Sequence, residues 1–540
     1  MINRMRNNMF RAGVRAFLAI LFLAGSFACS PEPVPGPEPE DPKQETPETP
    51  EPKEKPAPHL TRFGFYKADN AVLRKDVVFD LEKDPAMMLQ CFIPHAGGSL
   101  IARFEGVFDR VECRGIRQFS GVSRVDYSLP AEFVLSDTEG RTQTYQVQVT
   151  GYNGLPILYV NTDEGMAVTS KTTFVGANIR IANAPEYPLL NMTGKIRGRG
   201  NATWVNYPKK PYKIKLEKKT SVLGFPENRD WILLAEYCDK SFLRTTLMCL
   251  LSRAVGMEYT IRSRPVELYL NGDYQGIYLL ADQVEKAKER VQMEKDGFLF
   301  EDDNRYKDEP LYFTSRSFGF HFTFKYPDAD EGKIVRGDAE WNYITAYVDE
   351  MEAAFRKIPE DCATYRKYID MTSFAQWYLV MEVLGNWDPN FFYVLPTKGD
   401  KVRMMPCWDA EWSLGLAVAG NPNDSNGWFQ RPHEVRSDTD IWNSRKYFPC
   451  LFKDPAFVEE VKRQWEKMRA ALPDVREALD RHEETISYAV EDNFKCWPIL
   501  GKYQISVMQV TFPTWEEEVS YARNYFEERV RYLDGLYLNP

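Results

Sequence analysis

One tight backbone reversal constrains this chain more than any other feature. Phe391 to Leu395 and Val402 to Met405 are apolar, β-prone runs. Between them Thr397-Lys398-Gly399-Asp400 reads as a hairpin turn, with Gly399 able to take positive φ. A turn centred on Lys398-Gly399 pairs residues symmetrically about that bond, which places Asp388 opposite Asp409 with Asn390 close by. Directly paired side chains lie roughly 5 Å apart. Two carboxylates at that spacing repel unless a cation sits between them, and a divalent metal bound by hard oxygens suits the position. Pro389 and Pro406 have no N–H to give to a ladder, so the pairing should loosen beside the acids. The spacing alone suits turn or cap residues equally well.

The 540 residues exceed what one ordinary core accommodates, so two or more domains are expected. Hydrophobic residues at 44% and aromatics at 14% describe a globular chain. A net charge of −10 speaks against nucleic-acid binding by phosphate neutralisation, though not against binding a nucleotide with metal. Residues 1–29 read as a targeting segment: Arg4, Arg6, Arg11 and Arg15 precede an apolar stretch, Ala16 to Gly25, too short to span a bilayer as a helix. Ser26-Phe27-Ala28-Cys29 then resembles a bacterial lipobox, from which Ser26 and Phe27 depart. Cys29 is the expected lipidation site, anchoring an exported protein to a bacterial membrane, at the outer membrane or the cell surface. Residues 30–59 are rich in Pro and Glu, with too little to bury, and should form a disordered, charged spacer. The cysteines show no CxxC pair and His numbers only 5, which speaks against a zinc site. Cys91 and Cys113 are the most local disulfide candidates, and buried free thiols fit equally.

Residues 60–153 alternate in short strands, including Val77 to Phe79, Met88 to Ile93, Leu100 to Phe108 and Gln143 to Val149. This is the pattern of a small Ig-like β-sandwich, a spacer or binding module without a chemical constellation. A mixed region follows over 154–540. Gly194 to Thr203 is rich in Gly and Arg, and Tyr212-Lys213-Ile214-Lys215-Leu216 alternates as a strand with its lysines on one face. Such a loop can present N–H groups and cations to phosphates, although a basic loop can equally face only solvent. A helix opening at Asp239-Lys240-Ser241 should close at Gly256. Asn271-Gly272 marks a hairpin, after which Asp282 reads as a cap on spacing alone. Helices are expected over 340–357 and 371–385, the second capped by Asp370. From Asp454 to Leu538 the chain should be largely helical, with Trp465, Met468, Leu472, Phe526, Val530 and Leu533 in its core.

Taken in order, these segments resemble the CotH kinase family, the spore-coat-protein-H-like proteins. The matching elements are Arg197-Gly198-Arg199-Gly200-Asn201, Pro208 to Leu216, Asp230 to Ala235, Asp239-Lys240 with Arg244, Leu270 to Leu280, and the block from Asn386 to Gly415 around Asp388 and Trp408-Asp409. The resemblance implies an α+β fold with a divergent protein-kinase-like domain, helical in its C-terminal part, here preceded by the β-sandwich. It implies transfer of phosphate from ATP, with Mg²⁺ or Mn²⁺, to Ser or Thr of a protein acceptor whose identity is open. Asp409 would hold the metal, with Asn390 and Glu411 as further ligands, and Asp388 would orient or deprotonate the acceptor hydroxyl. Lys210 or Lys215 would neutralise phosphates, with Asp282 as an ion-pair partner. Arg197 and the Gly198/Gly200 loop would cover them. The chain departs from ordinary kinases in having only Pro389 between Asp388 and Asn390, and no acid from Phe242 to Val255. Many relatives carry Asp where Glu411 stands. A pseudokinase-like surface lipoprotein that binds glycan or protein is the alternative, and a metal-dependent hydrolase a third.

Overall fold

Alternation of apolar and polar residues governs most of the described chain from residue 59 to residue 282. In this computed structural model the described residues are 55–416 and 447–538, except 74, 94–98, 128, 151–153, 185–186, 387, 506, 507 and 509. Cys29, the targeting segment and the spacer to residue 54 lie outside them. The chain divides into Met1–Pro56 and Ala57–Pro540, and every element below belongs to the second unit. Strands β1 (His59–Phe65), β2 (Val77–Asp80), β3 (Met88–Phe92), β4 (Ser99–Val107), β5 (Arg110–Cys113), β6 (Ile116–Arg117), β7 (Arg124–Asp126), β8 (Ala131–Ser136) and β9 (Thr142–Thr150) come first. They form two sheets, in the orders β2-β1-β4-β7 and β3-β9-β8-β5-β6. Both sheets contribute to one core running from Leu60 to Val149, in which Phe63 meets Phe133 edge-on at 5.2 Å. Cys91 and Cys113 are free thiols, as are the other cysteines among the described residues.

Seven strands then close on themselves: β10 (Ile157–Thr162), β11 (Val175–Ala182), β12 (Leu190–Gly198), β13 (Tyr212–Thr220), β14 (Asn228–Leu234), β15 (Ser263–Leu270) and β16 (Asp273–Asp282). The barrel order is β10-β11-β12-β13-β14-β16-β15, sealed by parallel pairing of β10 with β15. Ile196, Ile214 and Leu216 point inward, so alternation sends Lys195, Arg197, Lys213 and Lys215 to the outer face. Alternation specifies faces but not which edge strands meet, so the sequence does not announce the closure. The Asn271-Gly272 turn joins β15 to β16 with φ of 53° and 90°.

A second sheet, in the order β18-β19-β17-β20-β21, comprises β17 (Phe298–Asp302), β18 (Tyr312–Thr314), β19 (His321–Tyr326), β20 (Phe391–Leu395) and β21 (Arg403–Met404). The helices are α1 (Ala202–Asn206), α2 (Arg244–Val255), α3 (Ala339–Phe355), α4 (Met371–Leu384), α5 (Phe448–Leu451), α6 (Pro455–Ile486), α7 (Ala489–Cys496) and α8 (Trp515–Tyr537). This mixture of helices and strands is α+β. Helix α2 starts at Arg244, after the Asp239 turn: Asp239 accepts from the N–H of Ser241 at 3.1 Å and of Arg244 at 2.9 Å, holding the preceding turn outside the helix. Helix α4 is buried from Ser373 to Leu384 and forms the centre of the larger core. Trp465, Met468, Leu472, Phe526, Val530 and Leu533 are all in that core, as their spacing requires. No helix among the described residues is long and apolar enough to cross a membrane.

Candidate active site

Helix α4 delivers Asp388 to the site. Asp370 caps its start by accepting from the Ser373 N–H at 2.7 Å, and Gly385 closes it in the left-handed region at φ 58°. Asn386, buried, then ties two distant segments together. Its Oδ1 accepts the Asp388 N–H at 3.2 Å and its Nδ2 donates to the Asp409 carbonyl at 2.8 Å. Behind it, β20 and β21 pair Tyr393 with Met404 and Val394 with Arg403, symmetric about the Lys398–Gly399 bond as expected. Gly399 has φ 85°. The ladder is short, however. Its last bond is Met405 N–H to the Phe392 carbonyl at 3.2 Å, after which Pro406 has nothing to donate. The acids therefore converge through the Asn386 clamp, not as rungs of the hairpin.

Asp409 faces an excess of its own charge. Desolvation, then Asp388 and Glu411, push its carboxyl up to about 7 against the pull of Arg199, and Glu301 adds to the rise. Asp409 is itself an exposed residue, between half-buried Trp408 and buried Ala410. Its backbone takes φ 62°, a conformation Asp and Asn tolerate better than most residues. Arg199, arriving from the end of β12, lies over the Trp408 ring at 5.6 Å. A cluster of acids thus meets a cation from the barrel.

A sequence profile described as CotH kinase protein matches residues 196–533, more than half of the chain. The chain belongs to the CotH kinase family. No curated protein matches it. Arg197 is half-buried on β12, donating to the Lys171 carbonyl, with its guanidinium 5.0 Å from the Phe174 ring centre. A side chain at Gly198 would collide with Trp204 at 2.3 Å, so this glycine admits an aromatic ring. Gly200 takes φ 81° at the turn into α1. Lys210 donates to the Trp204 carbonyl at 2.6 Å, and Lys215 lies on the outer face of β13, where Glu331 feels its charge.

Asp282 does not partner either lysine. It is 1% exposed, ion-paired to Arg262 at 2.7 Å and to Arg290 at 3.2 Å, and accepts from the Tyr259 hydroxyl at 3.3 Å. Asn390 gives its amide NH₂ to Glu301. Glu411 turns from Asp409 to the backbone, accepting the Cys238 N–H at 2.7 Å. There it joins Glu236 and Lys209. Burial raises both carboxyls and pushes the Lys209 amine down to about 7. Lys209 donates to the Ile277 carbonyl at 2.5 Å and to Asn493 at 3.2 Å.

Four residues at or near the site were not among those expected there: Arg199, Asn386, Glu301 and Lys209. Arg199 shares a strand face with Arg197, a legible signal. Glu301 opens the acidic run Glu301-Asp302-Asp303-Asn304. Nothing local marks Asn386 or separates Lys209 from Lys210. Among the described residues no group of three His, Cys, Asp or Glu side chains is arranged to hold a metal. Mg²⁺ carried by substrate phosphates needs only one or two protein carboxylates. Asp409, with the negative charge of Asp388 beside it, fits that requirement, and not an all-protein cage.

Proposed function

We propose that this chain is an exported, ATP- and metal-dependent kinase that phosphorylates Ser or Thr of a protein acceptor. The observation that carries the reading is the Asp388/Asp409 pair, held by Asn386 and facing Arg199, with the Asp409 carboxyl near 7. Phosphoryl transfer needs an aligned hydroxyl and compensated phosphate charge more than covalent help. Asp388 accepts the acceptor hydroxyl proton while that oxygen bonds to the γ-phosphorus. The bond from phosphorus to the bridging oxygen breaks, and ADP leaves with the electron pair. Asp409 and Asn390 would hold a divalent cation, Mg²⁺ or Mn²⁺, whose chemistry is to neutralise the β- and γ-phosphates. Arg199, Arg197 and Lys215 carry the remaining positive charge along the outer face of β12 and β13. The barrel and the helical region together would be a divergent kinase-like fold. The two sheets at 59–150 would be an Ig-like sandwich displayed on a spacer from a lipid anchor at Cys29.

The test is transfer of labelled phosphate from ATP to the chain itself or to a generic protein, with Mn²⁺ or Mg²⁺ present. Transfer that disappears in Asp409→Asn supports the reading. Calorimetry that finds no nucleotide binding in the presence of metal contradicts it. A second reading, a pseudokinase-like scaffold that binds glycan or protein, is favoured by Asp282 being held by arginines, away from any lysine. Nucleotide binding without transfer would select it.

A further inference from the structure

Glu301 lies on β17, 6% exposed and in register with Phe392 of β20. One of its carboxylate oxygens accepts from Asn390 Nδ2, and the other is 3.0 Å from Lys325 Nζ on β19. The three side chains form a line, Lys325 to Glu301 to Asn390, that ends two residues from Asp388. Its direction is fixed by chemistry. An ammonium only donates and an ionised carboxylate only accepts. Lys325 therefore keeps Glu301 an acceptor, and Glu301 can bind only the NH₂ end of the Asn390 amide. The carbonyl end is left facing the other way. With both oxygens engaged, Glu301 is also kept from acting as a ligand itself.

We infer that Glu301, neutralised by Lys325, is a positioning residue that locks Asn390 with its carbonyl oxygen offered to the cation that Asp388 and Asp409 would attract. This inference rests on the phosphoryl-transfer reading. It accounts for a side chain that follows Asp388 too closely to match ordinary kinases yet has a dedicated partner. Glutamine in place of Glu301 would turn its oxygen to Lys325 and its NH₂ to Asn390. The Asn390 amide would then have to reverse, taking its oxygen away from the site.

The experiment is a Mn²⁺ titration of the full chain followed by electron paramagnetic resonance, with a non-hydrolysable ATP analogue present. Glu301→Gln should weaken Mn²⁺ binding about 10-fold or more. Adding Lys325→Met should restore most of that loss, because the glutamine is then free to accept from Asn390. A merely structural role would not give such a rescue. Asn390→Ala leaves the Glu301–Lys325 pair intact and should lose affinity about as much as Glu301→Gln. This second variant keeps the test open even where Glu301→Gln fails to fold. Unchanged Mn²⁺ affinity in Glu301→Gln or in Asn390→Ala, or a double variant as weak as Glu301→Gln alone, overturns the inference. A wild-type chain that binds no Mn²⁺ with the analogue overturns the phosphoryl-transfer reading, and the inference falls with it.

Discussion

Asp282 and Asp409 both follow or end barrel or hairpin strands, and the molecule treats them in opposite ways. Asp282 closes β16 almost out of contact with water, between Arg262 and Arg290. Asp409 follows β21, keeps an opening to solvent, and is crowded by Asp388, Glu411 and Glu301 against Arg199. An acid with fixed cationic partners contributes to the fold, because removing it strands charge inside the protein. An acid whose neighbours are mostly acids is costly until a mobile cation arrives. The difference separates a carboxylate fixed by cationic partners from one left open to a cation.

Substituting each residue in turn tells the two acids apart. Asp409→Asn should cut phosphate transfer by about 10³-fold or more, the scale on which charge compensation acts in phosphoryl transfer. Its urea midpoint should not fall, since Asn tolerates the left-handed backbone found there. Asp282→Ala should do the reverse. It should cost about 3–5 kcal/mol of stability by urea unfolding, leaving Arg262 without its carboxylate and Arg290 with Glu285 alone, with any loss of transfer following the loss of folded protein. A stable Asp282→Ala, or an unfolded Asp409→Asn, would erase the distinction.

Finer tests probe what surrounds Asp409. Arg199→Met removes the cation that lowers the Asp409 carboxyl. Ionisation then needs more alkaline solution, so the rising limb of the transfer rate against pH should move to higher pH. An unmoved limb would separate Arg199 from Asp409. Asn386→Ala removes both halves of the clamp and should cost about 1–3 kcal/mol in urea unfolding. Transfer should also fall in variant chains that remain folded. Loss of stability without loss of transfer would mean that the acids are aligned by the hairpin after all.

Much of this was legible because it is local. The turn at Gly399, the cap at Asp370, the stop at Gly385 and the Asn271-Gly272 reversal each follow from the residues that make them. The register symmetric about Lys398–Gly399 holds as far as the ladder runs. Long-range features were not legible. Closing β10 against β15 depends on edges that no stretch of alternation specifies. The arginines that hold Asp282 come from elsewhere in the chain, so its spacing after the hairpin could not reveal them. Arg197 and Arg199 share a face, and only the approach of the Trp408 segment shows which of them meets Asp409. The Glu301–Asn390 bond similarly depends on the pairing of β17 with β20.

The Asp388/Asp409 pair should oppose folding when it is ionised without a cation. The most direct measurement is the melting temperature of wild type and Asp409→Asn in chelator, from pH 4 to pH 9. The folded-state carboxyl is raised from 3.8 to about 7, so its ionisation penalises the folded state. That penalty is absent near pH 4, grows as pH rises through this window, and is complete above about 7. Asp409→Asn should therefore melt close to wild type at pH 4 and above it at pH 8, with the gap opening between the two. A gap that is constant with pH, or a wild type that gains on the variant as pH rises, would mean that ionised Asp409 does not weaken the folded state.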